Sequence, residues 1–236
     1  MHKHLKRLIP FFVLLLCILL VYFSNIHQTF TLEWIRQEEQ RLDSFVHNHP
    51  ITSPLLFLGI YILSVCLVIP DSTILTLLAG LVFPLPLAIA YSVIAETIGA
   101  MIFFFIFRLV FTESLIKREL SFFKTLRHRF RKHQAIYLLF LRLTHVIPFW
   151  LTNVAAAYFT VSYKVFLWVT LVGVIPLSYI LANAGRSLHK LFAENQVLTF
   201  SDILTPQVKL SLLVLGLLSF LPLLYKKFRG KKGWFQ

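Results

Sequence analysis

One apolar stretch, from Ala135 to Phe159, limits the possible fold of this chain most strongly. Its sequence is AIYLLFLRLTHVIPFWLTNVAAAYF, so Arg142 and Pro148 both lie among residues apolar enough to enter a lipid bilayer. A charged side chain at the bilayer centre costs about 3 kcal/mol on insertion scales, and a proline removes a backbone hydrogen-bond donor. Broken backbone is tolerated at membrane depth only where protein or a wet cavity surrounds it. The stretch therefore predicts a re-entrant hairpin, which enters the membrane, turns from Pro148 to Asn153 and returns.

The composition of the whole chain indicates an integral membrane protein. Of its 236 residues 58% are hydrophobic, the mean hydropathy is +0.77, and the apolar residues occur in long runs. The net charge is +13, but the basic residues flank the apolar runs, which favours anionic lipid over nucleic acid as their partner. Cys17 and Cys66 are isolated within apolar runs, so we expect neither a disulfide nor a metal site from them.

Four apolar runs are predicted to span the membrane completely. They are Leu8–Ser24, Leu87–Phe107, Tyr163–Ala184 and Val208–Tyr225. Gly185 is placed to end the third of these spans. A further re-entrant hairpin is expected over Leu55–Phe83, with Pro70 and Asp71 at its tip, because the apolar run before Pro70 is too short to cross. The polar segment between residues 25 and 54 is predicted to form an amphipathic helix.

The distribution of charge predicts that both termini are cytoplasmic. If the N-terminus, the basic segment Arg108–His133 and the C-terminal tail share that side, it holds, with Lys164, 17 of the 23 lysine and arginine residues. Such an excess is what the positive-inside rule requires. The first hairpin then enters from outside and the second from inside. Each hairpin precedes a span that contains glycine, which is the pattern typical of inverted repeats in transporters.

The predicted fold is therefore an all-α integral membrane protein with about four full spans and two opposed re-entrant hairpins, related as an inverted repeat. Three parts are expected along the chain. Residues 1–54 form an anchor span and an outer amphipathic segment, residues 55–186 form the core, and residues 187–236 form a polar loop, the last span and a basic tail.

Four ionisable residues at predicted membrane depth make up the candidate site. They are Asp71, Glu96, Arg142 and His145, and ionisable residues inside a membrane commonly mark a transport path. Arg142 is expected to hold an anionic head group, since a guanidinium suits phosphate, while Asp71 or Glu96 takes up a proton and His145 relays it. Two structural alternatives stay open: Asp71 and Arg142 form an ion pair that fixes the hairpins, and Glu96 and His145 only hydrogen-bond neighbouring helices.

Several motifs resemble those of a known family. The segments VIPDSTILTLLAGLVFP and FLRLTHVIPFWLTNVAAAYF are similar to the VTT domain of SNARE-associated Golgi proteins in the DedA superfamily, over roughly Leu55 to Arg186. The resemblance implies two facing re-entrant helices and a role in proton-dependent transport or in moving lipids between leaflets. By position, Asp71 matches the acidic residue after the family's first proline turn, and Arg142 matches the first arginine of the second hairpin. The DedA branch often has a second arginine where this chain has Pro148, which places the chain in the broader VTT group.

These observations predict a membrane transporter or lipid translocator for an anionic lipid or a small anion, with protons as candidate coupling ions. The alternative is a non-transporting scaffold that binds partners or anionic lipid through its basic segments. An enzyme is not expected, because the chain has no GxSxG or HExxH motif, and neither a cofactor nor a metal is predicted. Homo-oligomerisation is left open. The compact chain without Asn-x-Ser/Thr acceptors favours a bacterial plasma membrane.

Overall fold

A computed structural model describes residues 32–69, 72–117, 127, 130–131, 133–144 and 147–193. In these ranges the chain forms helices and no strand, which confirms the all-α class for this part of the protein. The helices are α1 (Leu32–Asn48), α2 (Thr52–Cys66), α3 (Ser72–Val82), α4 (Leu85–Lys117), α5 (Gln134–Thr144), α6 (Phe149–Tyr158) and α7 (Tyr163–Ala193). The spans predicted at Leu8–Ser24 and Val208–Tyr225, and most of the basic segment before α5, lie outside the described residues.

Two of the described helices are long and apolar enough to cross a membrane. The qualifying parts are Leu85–Leu109 of α4 and Tyr163–Leu188 of α7. At 1.5 Å per residue each is close to 40 Å long, more than the roughly 30 Å of a hydrocarbon core. These two helices confirm the two central spans of the prediction. A third crossing within the same ranges would need the pair Arg41–Asn48 and Thr52–Cys66, whose axes are bent by 119°, so the total of four spans stays a prediction.

The outer faces of these helices carry large apolar side chains. On α4 the exposed residues recur every three or four positions, which places them on one side of the helix; they are Ile94, Ile98, Ile102, Phe105 and Leu109. The opposite side of α4 holds small, buried residues that let other helices approach, namely Ala88, Ser92, Ala95 and Ala100. The apolar face is suited to lipid and the small-residue face to protein.

Both interrupted apolar stretches are broken into two short helices. The first break separates α2 from α3 and contains Val68, whose φ of 59° cannot continue a right-handed helix. The second break separates α5 from α6, where Pro148 stands before the first residue of α6 with a ψ of 140°. Asn153 is therefore helical and not part of the predicted turn, because α6 already begins at Phe149. The tip residues Pro70 and Asp71 lie outside the described residues.

Helix α7 continues beyond the residue that was expected to end it. Gly185 lies inside α7, which runs on to Ala193. A Cβ atom on Gly185 would overlap the backbone carbonyl of Leu77 in α3, and a Cβ atom on Gly80 in α3 would overlap the backbone of Ala182. The prediction for Gly185 is wrong because this glycine allows α3 and α7 to touch through their backbones, as small residues do between membrane helices.

The short helices pack on the long helices in a pattern that repeats between the two halves of the chain. In the first half α2 packs on α4, whereas α3 packs mainly on α7. In the second half α5 packs on α7, whereas α6 packs on α4. Helices α4 and α7 also contact each other, and the buried rings of Phe104 and Phe166 stack there with centroids 4.2 Å apart. The repeat is what an internal symmetry would produce; entry of the hairpins from opposite faces stays a prediction.

Candidate functional site

Arg142 is the largest fully buried side chain in the described part of the chain. It lies in the last turn of α5 and is only 1% exposed. A cation in the last turn of a helix interacts favourably with the helix dipole, but this covers only a small part of the several kcal/mol that burial of a charge costs. The remaining stabilisation has to come from the groups around the guanidinium.

Three neutral side chains accept hydrogen bonds from Arg142. Its Nη1 atom donates to Oγ1 of Thr152 at 3.1 Å, and its Nη2 atom donates to Oδ1 of Asn153 at 2.6 Å and to Oγ1 of Thr170 at 3.0 Å. Thr152 and Asn153 belong to α6, and Thr170 belongs to α7. The guanidinium therefore connects α5 to both of these helices. Asn153 contributes to the site through its side chain amide.

Aromatic rings and a glycine complete the surroundings of Arg142. The guanidinium carbon lies 4.0 Å from the centre of the Phe149 ring and 5.4 Å from that of Phe166, within the range of cation–π attraction. A Cβ atom on Gly173 of α7 would lie 2.7 Å from Cβ of Arg142, so only glycine leaves room for the stem of the arginine. The Nε atom of Arg142 is buried and has no hydrogen-bond partner among the described residues.

Glu96 is the carboxylate that interacts electrostatically with Arg142. It lies on α4 and is 8% exposed. In the described ranges no ion pair within 4.0 Å joins the two side chains, so the interaction acts across a gap. Glu96 also interacts with Tyr61 of α2, whose hydroxyl group is 2.7 Å from Oγ1 of Thr76 in α3. Polar groups of six helices, α2 to α7, thus approach one another inside the buried core.

The structure brings together two of the four predicted site residues, Arg142 and Glu96. Asp71 and His145 lie outside the described residues, so the predicted pairing of Asp71 with Arg142 stays a prediction. In the part of the chain that is described, no group of three His, Cys, Asp or Glu residues could hold a metal ion.

The two threonines that accept hydrogen bonds from Arg142 were not among the predicted site residues. Thr170 is 28 residues away in sequence, and nothing local connects it to α5. The sequence does carry a signal for such a role, namely a hydroxyl group within a long apolar run. Polar side chains in membrane helices usually face protein. Thr152, ten residues after Arg142, carries the same signal.

A comparison with protein families identifies the domain that contains this site. The model of the VTT domain matches residues 69–187, half of the chain. The chain belongs to the VTT-domain family. The match contains Glu96, Arg142 and the hydrogen-bond partners of Arg142, and all of α3 to α6.

Vertebrate relatives of this VTT-domain protein share the same region. Transmembrane protein 41B of Mus musculus is 30% identical over 175 residues, which cover 72% of this chain and 58% of the relative. The Homo sapiens protein of the same name is 29% identical with the same coverage, and that of Gallus gallus is 28% identical over 62% of its length. The chain thus spans less than two thirds of these relatives. No solved structure matches this chain significantly. The family and the two apolar helices together show an integral membrane protein.

Proposed function

We propose that this VTT-domain protein moves an anionic lipid or a small anion across the membrane, and that Arg142 holds the anionic group. The observation that carries the proposal is a guanidinium that is 1% exposed and that hydrogen-bonds only neutral side chains within the described ranges. A buried charge of this kind is ordinarily paired. An entering phosphate or carboxylate supplies the missing negative charge through charge-assisted hydrogen bonds. The family resemblance to lipid translocators and proton-dependent transporters supports the same conclusion.

The anion reaches Arg142 when α5 and α6 separate. These helices pack mainly on different long helices, α5 on α7 and α6 on α4, so a small movement of α4 against α7 parts them. Phe149, at the start of α6, covers one face of the guanidinium and moves away with α6. The anion then takes the place of Thr152 and Asn153 as hydrogen-bond acceptor, while Thr170 keeps the arginine in position on α7.

Glu96 acts in this proposal as the group that binds a proton. In its charged form it partly neutralises the field of Arg142, with which it interacts electrostatically. In its protonated form it leaves the full positive charge of Arg142 to the anion. Binding of the anion and binding of the proton therefore favour each other, because such coupling is reciprocal. The expected outcome is faster movement from the more acidic side of the membrane, with Asp71 and His145 as further proton-binding candidates.

Transbilayer movement of a labelled lipid tests the proposal. The full chain is reconstituted in liposomes with labelled phosphatidylglycerol or a polyprenyl phosphate, with and without a pH gradient. Arg142→Lys keeps the charge but loses the fork of donors, so the rate is expected to fall about tenfold or more, since one charge-assisted hydrogen bond contributes about 1.5–3 kcal/mol and 1.4 kcal/mol is tenfold. Glu96→Gln is expected to keep lipid movement and lose its dependence on the gradient.

A matched control and two contrary results make this test decisive. Lys164→Gln removes an exposed charge from the same helix as Thr170 and is expected to move lipid at the wild-type rate. Circular dichroism shows whether each variant is folded. If folded Arg142→Lys matches the wild type, Arg142 only holds the helices together. If the wild type moves neither lipid faster than empty liposomes, the lipid translocator proposal fails, and the scaffold alternative or a different small anionic substrate replaces it.

We also propose that both termini are cytoplasmic and that the host membrane is a bacterial plasma membrane, although the relatives reported above are vertebrate. The excess of lysine and arginine on one predicted side supports the orientation. A C-terminal reporter that is active only in the cytoplasm tests it, and an inactive but expressed reporter would refute it.

A further inference from the structure

A cavity of about 370 Å³ lies apart from the Arg142 site, between α1, the connection of α3 to α4, and α7. Its wall consists of Asp43 on α1, Arg186 on α7 and the continuous segment of residues 80–86. Cavities from roughly 300 Å³ upwards commonly hold small ligands, so this one has room for a lipid head group. None of its lining residues takes part in the proposed anion path.

The cavity lies at the membrane surface. The apolar part of α4 begins at Leu85, which lines the cavity, and the apolar part of α7 ends at Leu188, two residues after Arg186. Both candidate spans therefore reach their boundary at this level. Because polar head groups begin where the hydrocarbon core ends, the cavity is at the depth of the head groups of one leaflet.

Two opposite charges face this cavity without pairing. Asp43 and Arg186 are both exposed, and no ion pair within 4.0 Å joins them in the described ranges. A guanidinium binds phosphate with a bidentate geometry, and a carboxylate accepts hydrogen bonds from an ammonium group. The pair is thus complementary to a small molecule that carries both a phosphate and an amine.

The wall between these charges is suited to a cation with N–H groups. The last carbonyl groups of a helix generally have no partner within it, and the C-terminal end of its dipole attracts positive charge. In α3 the carbonyl group of Ala79 accepts from the N–H group of Phe83 at 2.8 Å. Pro84 and Pro86 line the cavity at this point, and a proline has no N–H group to offer. The carbonyl groups of residues 80–82, at the end of α3, are therefore the expected acceptors on this part of the wall.

We propose that this cavity binds the phosphoethanolamine head group of a zwitterionic phospholipid from the adjacent leaflet. The phosphate lies against Arg186, and the ammonium group donates to Asp43 and to carbonyl groups at the end of α3. Phosphocholine carries the same charges but has no N–H group to donate, and phosphatidylglycerol has no cation. Binding is expected to favour phosphatidylethanolamine over both. The proposal does not rest on transport, since it concerns different residues from those around Arg142.

Native mass spectrometry of the full-length protein in detergent tests this selectivity. Short-chain phosphatidylethanolamine, phosphatidylcholine and phosphatidylglycerol are titrated separately, and free phosphoethanolamine serves as competitor. The wild type is expected to bind phosphatidylethanolamine up to about fivefold more tightly than phosphatidylcholine, the upper end of the range for one ion pair at an exposed site. Asp43→Asn is expected to abolish this preference, and Arg186→Gln is expected to weaken binding of all three lipids.

Two charged residues outside the cavity provide controls. Glu38→Gln removes a carboxylate of α1 that pairs with Arg41 at 3.1 Å, and Lys164→Gln removes a cation near the start of α7. Both controls should keep the wild-type preference. The proposal is overturned if the wild type binds the three lipids equally, or if Asp43→Asn and Arg186→Gln behave like the controls. If free phosphoethanolamine displaces the bound lipid, the cavity recognises the head group alone. If it does not, but Asp43→Asn still loses the preference, the cavity recognises the head group only as part of an intact lipid.

Discussion

Replacement of Gly173 by alanine tests the contact on which the position of Arg142 depends. The added Cβ atom would lie 2.7 Å from Cβ and 3.2 Å from Cγ of Arg142. Both distances are too short, so the stem of the arginine has to move away from α7. The guanidinium is held by hydrogen bonds of 2.6, 3.0 and 3.1 Å, so any such movement lengthens at least one of them.

Two opposing effects determine the size of the change. Alanine stabilises a helix relative to glycine by about 0.8–1 kcal/mol. Against this, overpacking of a filled core costs about 1–3 kcal/mol, and loss of one hydrogen bond to a charged group costs about 1.5–3 kcal/mol. The costs exceed the gain, so Gly173→Ala is expected to lower the free energy of unfolding by about 1.5–5 kcal/mol.

Gly59 provides the matched control for this experiment. It lies on α2, and a Cβ atom there would meet nothing within 4 Å, so Gly59→Ala is expected to raise the free energy of unfolding by up to about 1 kcal/mol. Unfolding in sodium dodecyl sulfate followed by circular dichroism measures both variants, and lipid movement in liposomes reports on the site. Equal stability and equal lipid movement of the two variants would falsify the close contact between Arg142 and α7.

Two further predictions concern the contacts that hold the long helices. Gly185→Ala is expected to lower the free energy of unfolding by more than about 2 kcal/mol, because the new Cβ atom overlaps the backbone carbonyl of Leu77, which cannot rotate away; an unchanged unfolding midpoint contradicts this. Arg108→Met is expected to cost about 1–3 kcal/mol, because Nη1 of Arg108 donates to the carbonyl oxygen of Val161 at 2.7 Å. Lys164→Met replaces an exposed residue nearby and should leave the unfolding midpoint unchanged in the same assay.

The parts of the fold that depend on local properties could be predicted from the sequence. The length and apolarity of a run decide whether a helix can cross a bilayer, so α4 and α7 were recognised. A proline disfavours helix in the residue before it, so the break before α6 was recognised at Pro148. Arg142 was recognised as a site residue because a charge within an apolar run is costly in a membrane and commonly functional.

The parts that depend on distant helices could not be predicted. Gly185 carries the local signal of a helix end, but its role depends on the backbone of α3, more than a hundred residues earlier. Asparagine is frequent in turns, which suggested a turn at Asn153. Its role depends instead on the guanidinium of Arg142, from which its side chain accepts a hydrogen bond. The cost of burying Arg142 suggested an acidic hydrogen-bond partner, whereas in the structure Arg142 donates its hydrogen bonds to two threonines and an amide.

The packing of α3 on α7 determines the order in which the chain can be assembled during synthesis. The backbone of Ala182, which covers Gly80, leaves the ribosome roughly a hundred residues after Gly80 does. At about 5–20 residues per second, α3 therefore waits roughly 5–20 s for its principal contact. Helix α6 has no such delay, because α4 precedes it. A nascent chain that is stopped before α7 is thus expected to leave the surface of α3 around Gly80 open to lipid. Packing of α7 is the step that completes the core.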